Sequence, residues 1–367
     1  MVLSEPDYYL AFHYCNGIGP KRFTQILQVF GTAEKAWNSP IGTWQKLGFP
    51  RNITVEVAQH KQEFDISKEK ELLAKLGISY LPSNNPQFPQ LLKQIPDCPI
   101  GLFLKGAMLP QDVNTLAVVG TRKVTPYGRE VTQRLVAGLV LHNLTIISGL
   151  ARGVDGIAHR TALENGGRTI AVLGSGLDQI YPPEHRQLSQ DILKNGALLS
   201  EYPPQTKPSP GNFPARNRII SGMSLGVLVT EGASKSGSKI TAMLALDQNR
   251  DVFAVPGSIT SPMSTGPAEL IQLGAKLVMS EKDIIDELNL TLFNDVPEKC
   301  APFSQSQPSF SDKKHKKIWQ YLQKGTQHID VITRETRLPI ATVTTCLTLM
   351  EIKGLVKNLG DGNYMVV

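Results

Sequence analysis

Seven short apolar runs, most of them β-branched, recur through the middle of the chain, and their regular spacing restricts the fold more than any other feature. They are TLAVV (115–119), LTIIS (144–148), TIAVL (169–173), ALLS (197–200), LGVLV (225–229), DVFAV (251–255) and KLVM (276–279), with starts 25 to 29 residues apart. That interval fits a strand, a loop, a helix and a return loop. Between runs the apolar period changes to that of a helix: in 127–141, Val131, Leu135 and Leu139 fall on one face. Nearly continuous apolar strands alternating with helices predict an α/β fold, a mostly parallel sheet with both faces covered, over residues 80–288.

The flanks read differently. Residues 1–75 carry short helical patterns around GIGPKRF (17–23), which suggests a small helical domain of the SAM-like or helix-hairpin-helix kind. Its glycines would let backbone amides approach a phosphate, but one G-x-G is weak evidence, and a turn inside a packing module is the favoured reading. Residues 289–312, rich in Ser, Pro and Gln, read as a linker. Residues 313–367 then follow the order helix, helix, helix, hairpin, with Asp361-Gly362 as the hairpin turn. This is the order of a winged helix. Its third helix offers mostly Thr, Leu and Met, so a protein contact is favoured there over base reading.

Ligands of an open parallel sheet sit beyond the carboxyl ends of its strands. The loops at those positions are GTRKVTP (120–126), SGLARG (148–153), GSGLDQIYPP (174–183), EYPPQTKPSPGNFPARNR (201–218), TEGASKSGSK (230–239) and PGSITSPMSTG (256–266). They place Arg122, Arg152, Arg216, Arg218, Lys235 and Lys239 along one edge, together with helix N-termini that bring free N–H donors. A net charge of +6 gains meaning through this clustering, and an extended anion groove is expected. Gly120, Gly149, Gly153, Gly174 and Gly176 would permit its tight turns, and Arg122 would either grip the anion or pair with Glu201 or Asp155. Phe213, Tyr181 and Tyr202 stand in the same loops. Phe213 would stack on a base or pack its own loop.

A buried dinucleotide fits poorly. The first turn lacks G-x-G-x-x-G, GSGLDQ lacks a third glycine, and no G-x-x-x-x-G-K-[ST] loop occurs. The forked guanidinium of Arg122 suits a phosphodiester. Asp155, Asp178, Glu201, Glu231, His159 and His185 are candidate acids and bases, but no nucleophile elbow or metal-ligand pair accompanies them. Asp155 and His159, four apart, read as a structural pair. Cys15, Cys98, Cys300 and Cys346 lack C-x-x-C spacing and are expected to be free thiols, with no metal. No apolar run spans a bilayer, and the N-terminal segment does not resemble a signal peptide. A cytoplasmic, membrane-free protein is therefore expected.

The strings GTRKVTPYG, SGLARGVDGIAH, TIAVLGSGLDQIYPPEH, LLSEYPP, FPARNRIISGMS, EGASKSGSKITA and VFAVPGSI resemble, in order, the DNA-processing protein A family, also called DprA or Smf. The likeness is dense over roughly 80–280. It implies a single-stranded DNA-binding protein with an extended Rossmann fold, a SAM-like front and a winged-helix tail, which forms homodimers through the Rossmann domain. It also implies protection of incoming strands in natural transformation, and loading of the RecA recombinase, including onto strands coated by single-strand binding protein. No cofactor and no catalysis belong to that role.

Carried onto this chain, the family's phosphate-gripping G-[ST]-R motif falls on Gly120, Thr121 and Arg122. Its FPxRNR motif falls on Phe213, Arg216, Asn217 and Arg218. Its SGSxIT motif falls on Ser236, Gly237, Ser238, Ile240 and Thr241, with Lys239 at a position often apolar in relatives. Ser148, Gly149, Arg152, Gly174 and Tyr181 complete the expected DNA site, and the dimer surface is expected within 243–275. Two other readings compete. A phosphoribohydrolase-like nucleotide enzyme would need a P-G-G-x-G-T-x-x-E loop where this chain has TEGASKSGSKITA. A scaffold for another protein would rest on the linker and tail.

Overall fold

The computed structural model describes residues 3–290, 313–322, 325, 327–352, 355–360 and 362–366. Most of the expected linker and Asp361 of the hairpin turn lie outside the described residues. The chain divides into two compact units, Met1–Phe293 and Asn294–Val367.

The first unit opens with helices α1 (Glu5–Tyr14), α2 (Pro20–Phe30), α3 (Ala33–Asn38), α4 (Ile41–Lys46), α5 (Arg51–Glu63) and α6 (Ile66–Leu76). They enclose a core of their own around Phe12, Phe23, Ile26, Trp44 and Val57. In the GIG turn Gly17 has φ +75°, which favours glycine, Ile18 is buried, and Arg22 donates back to the Gly17 carbonyl at 2.5 Å. The turn thus closes on itself, as a packing element does. This layer is joined to the sheet through half-buried His13, whose Nε2 lies 2.6 Å from the Glu201 carbonyl and whose Nδ1 lies 2.9 Å from the Tyr80 hydroxyl.

The sheet has nine strands: β1 (Ser79–Pro82), β2 (Gly101–Gly106), β3 (Thr115–Val119), β4 (Thr145–Ser148), β5 (Thr169–Leu173), β6 (Gly196–Ser200), β7 (Gly226–Val229), β8 (Asp251–Ala254) and β9 (Lys276–Leu277), in the order β1-β2-β6-β5-β4-β3-β7-β8-β9. All seven expected runs are strands, and they are mutually parallel. β1 and β2, which are not among the seven expected runs, add an antiparallel edge. Helix α7 (Gln90–Lys93) lies between them. Around the parallel part run α8 (Pro126–Leu141), α9 (Val154–Glu164), α10 (Arg186–Ile192), α11 (Asn212–Gly222), α12 (Gly237–Asp247), α13 (Thr265–Gln272) and α14 (Glu281–Glu287).

Alternate strand residues feed opposite layers. Ala117, Val119, Val227 and Val229 pack in the core that holds α11, α12 and α13 residues. Leu116, Val118 and Leu228 pack with Leu135 and Leu139 of α8, with Val131 partly buried beside them. The order runs from β3 outward through β4, β5 and β6, then returns to the other side of β3 with β7. That reversal opens a crevice at the carboxyl ends of β3 and β7, where such sheets hold their ligands.

The second unit contains α15 (Lys313–Leu322), β10 (Gln327–His328), α16 (Ile329–Thr336), α17 (Ile340–Ile352), β11 (Val356–Gly360) and β12 (Asn363–Val366), with sheet order β10-β12-β11. Ile318, Leu322, Ile332, Val343, Leu347 and Met350 form its core. The helices and hairpin stand as the sequence predicted, with β10 as an addition.

Candidate nucleic-acid interface

Three loops are tied together at the switch point. The Thr121 amide donates to the Glu231 carbonyl at 2.7 Å, and the Val154 amide donates to the Thr121 carbonyl at 3.2 Å. Gly153 (φ +75°) makes the second approach possible, because a Cβ there would meet the Thr121 carbonyl oxygen at 2.2 Å. Above these ties lies a groove of about 560 Å³. Its walls include Gly120, Thr121 and Arg122 after β3, Tyr181, Phe213, Arg216 and Asn217, and Ser236, Gly237 and Ser238 at the start of α12. An anion entering it would meet the positive end of an 11-residue helix and two hydroxyls 2.7 Å apart, those of Ser236 and Ser238.

Arg122 is exposed, and its guanidinium carbon lies 5.6 Å from the centroid of the Phe213 ring. Tyr181, 39% exposed, brings its ring to 5.7 Å from the same ring. Gly174 passes behind Phe213, where a Cβ would press the ring at 3.0 Å. Phe213 therefore has one flank against backbone and is shared by a cation and a second aromatic ring. It is only half-buried.

The expected row of six edge cations divides. Arg122 and Lys235 are exposed with no ion pair among the described residues. Arg152 pairs with Glu184. Lys239 pairs with Glu269, so the charge at this motif position is spent within the chain. Arg218 turns from the groove to Glu201 at 2.6 Å and Asp97 at 3.2 Å, beside Gly19 and Lys21 of the helical layer. Arg216 is 4% exposed and donates to the carbonyls of Gly149 (2.8 Å) and Val172. A cation placed under a sheet edge has only carbonyls and carboxylates for neighbours, and it bonds them as a structural group.

Asp155 lies beside Arg216 in the groove floor. Its carboxylate accepts the amides of Gly149 at 3.1 Å and Ala151 at 3.3 Å. Burial pushes its pKa up, opposed by Arg216 and these amides, and burial pulls Arg216 down to about 10, which leaves it cationic at neutral pH. Gly149 is required here, because a Cβ would fall 2.6 Å from the Arg216 guanidinium and 2.8 Å from the Asp155 carboxylate. Ser148 is fully buried and donates to the Val118 carbonyl at 2.7 Å. Ser148, Gly149, Arg152, Gly174, Arg218 and Lys239 thus stand behind or beside the groove wall.

The candidate acids and bases are occupied elsewhere. Asp155 and His159 do not pair: His159 Nδ1 lies 2.7 Å from the Thr169 hydroxyl, and its burial pulls the pKa to about 3. His185 Nδ1 lies 2.9 Å from the Leu150 carbonyl. Buried Glu231 accepts the amide of Thr125 at 2.9 Å and its hydroxyl at 2.6 Å, holding the N-cap of α8. Cys15 and Cys346 are buried and Cys98 is half-buried, and Cys300 lies outside the described residues. No described helix is long and apolar enough to cross a membrane.

With this geometry in view, the comparisons with known proteins are specific. The sequence profile of DNA recombination-mediator protein A matches residues 79–289, the span of the nine-stranded sheet and its helices. The chain belongs to that family. The profile of the DprA winged helix domain matches residues 301–362. Protein Smf of Synechocystis is 35% identical over 387 residues, with 97% of each chain covered. DNA processing protein DprA of Bacillus subtilis is 48% identical over 213 residues, covering 58% of this chain and 72% of the relative. Among solved structures, DprA from Streptococcus pneumoniae superposes with a TM-score of 0.68 at 35% identity, over 78% of this chain and 99% of that one. DprA from Helicobacter pylori, solved in a study of its single-stranded DNA binding mode, gives 0.52 at 32% identity, over 58% and 95%. The DprA family is one of recombination mediators.

Proposed function

We propose that the switch-point groove binds single-stranded DNA, and that the protein acts as a recombination mediator that shields incoming strands in natural transformation and delivers them to RecA. One observation carries this reading: an unpaired guanidinium and a half-buried phenyl ring stand side by side at the groove mouth, Arg122 over Phe213 at 5.6 Å. Such a pair offers a phosphate grip and a base platform at nucleotide distance. A duplex keeps its base faces stacked away from Phe213, which favours the single strand. The likeness to the Helicobacter pylori protein supports the same ligand.

The reading includes a homodimer through the sheet domain. Helix α12 exposes Ile240, Met243 and Leu246, spaced three apart on one side, and apolar stripes of this kind are commonly covered by a partner. The decisive experiment is a titration of fluorescent oligo-dT and of a matching duplex with wild type and Arg122→Ala at two salt concentrations. Preference for the single strand, strong salt dependence and a loss of about tenfold in the variant are expected. Equal affinity for the duplex, or binding insensitive to salt, would overturn the proposal. RecA filament growth on strands coated by single-strand binding protein, with and without the chain, tests the mediator step.

A further inference from the structure

A second basic cleft, outside the groove, lies between α8 and α9. It has a volume of about 540 Å³ and is lined by Arg122, Lys123, Arg129 and Arg160, with Gln133 and a single carboxylate, Glu164. All four cations are exposed, and none forms an ion pair among the described residues. Arg152, Lys194 and Lys276, by contrast, are exposed cations that pair with carboxylates. Four cations gathered around one carboxylate with which none of them pairs repel each other, and this arrangement is stabilised when an anion lies between them. Arg160 is also aimed: it donates to the Gly156 carbonyl at 3.3 Å and lies 3.2 Å from His185 Nε2.

Arg122 lines both this cleft and the groove, so the two are continuous across one side chain. The cleft, unlike the groove, has no aromatic ring among its described lining. It can hold phosphates but offers no platform for bases.

We propose that the α8–α9 cleft is a second, base-blind phosphate track, which takes the sugar-phosphate backbone of the same strand where it leaves the groove at Arg122. This rests on the groove being the single-strand site. The track would lengthen the footprint without adding sequence preference, since phosphate contacts carry none.

The test uses the full chain and the double variant Lys123→Gln/Arg129→Gln, two exposed residues with no ion pair among the described residues. Fluorescent oligo-dT of about 6 and about 20 nucleotides would be titrated, one near the short end and one beyond the long end of the roughly 4–16 nucleotides that a single-strand-binding OB fold covers. The longer oligonucleotide is also made with abasic flanks and with uncharged methylphosphonate flanks. We expect the variant to bind the long strand about tenfold more weakly, with a salt slope smaller by about 1.4 for two lost phosphate contacts, and to bind the six-mer as wild type does. Abasic flanks should leave wild-type affinity unchanged, and methylphosphonate flanks should lower it to that of the variant. Equal long-strand affinities, or the same loss on the six-mer, would overturn the track while leaving the groove intact. Failure of wild type to bind any strand would instead overturn the groove reading, and the track with it. Tripolyphosphate binding lost in the variant with DNA binding unchanged would assign the cleft to a free phosphate compound and overturn the proposal.

Discussion

The Arg122 guanidinium lies over the Phe213 ring at 5.6 Å, which couples the cation of the proposed phosphate grip to the ring of the proposed base platform. Removing either side chain should cost affinity on its own. Arg122→Ala is expected to lose on the order of 1.5–3 kcal/mol of single-strand binding, and Phe213→Ala about 1–3 kcal/mol. In a double-mutant cycle the two should couple by about 0.5–1 kcal/mol, the size of an exposed cation–π contact. Strict additivity, measured by fluorescence anisotropy on oligo-dT, would show that the two act apart.

Arg216 and Arg122 should separate stability from binding. Arg216→Ala removes the buried charge that offsets the burial of Asp155 and leaves the carbonyls of Gly149 and Val172 without their donor. A loss of about 3–5 kcal/mol is expected in denaturant unfolding. Arg122→Ala, an exposed position, should stay within about 0.5 kcal/mol of wild type. If Arg216→Ala unfolds like wild type and loses only DNA, the guanidinium is a ligand group and its structural assignment fails.

Stability should fall in mild acid. His159 is buried and His13 half-buried, and desolvation holds their pKa values at about 3 and about 4, against 6.5 for free histidine. The unfolded chain therefore takes up protons below 6.5 that the folded chain refuses. The contribution is complete above that pH and is lost as pH falls toward 4, by about 2 kcal/mol per histidine at pH 5. Melting temperatures between pH 7.5 and 5 should drop steeply for wild type and less steeply for His159→Gln. An unchanged slope in that variant would rule out this histidine as a source.

Glu231 should matter for folding. Its carboxylate holds the amide and hydroxyl of Thr125, so Glu231→Ala leaves buried donors unmet at a cost of about 1–3 kcal/mol. Wild type incubated with nucleoside monophosphates should release no base. Turnover that disappears with Glu231 would instead restore the phosphoribohydrolase reading.

Much of the domain could be read in one dimension. Strand runs 115–119 and 169–173 coincide with β3 and β5 residue for residue, and the other five differ only at their ends, because burial on both faces demands unbroken apolar stretches. β1 and β2 were hidden because SYLP and GLFLKG stand outside the repeating interval and carry Pro and Gly, which weaken strand signals. Loops at the carboxyl ends follow from parallel topology, and Gly120, Arg122, Phe213, Asn217 and Ser236 of those loops and the helices after them line one groove.

The roles of the charged residues were far less legible. FPARNR presents two arginines two positions apart as equals, yet Arg216 reaches carbonyls 44 and 67 residues away, and Arg218 reaches a carboxylate 17 residues away. The sequence by itself determined the repeating α/β frame, the winged-helix order and the edge at which the loops after the strands gather, because hydrophobic period and turn chemistry are local properties. Only the tertiary structure decided which cations face solvent, which lie under the groove floor, and which gather between α8 and α9. An ion pair is made by whatever carboxylate folding brings within a few ångströms, and that distance does not depend on separation along the chain.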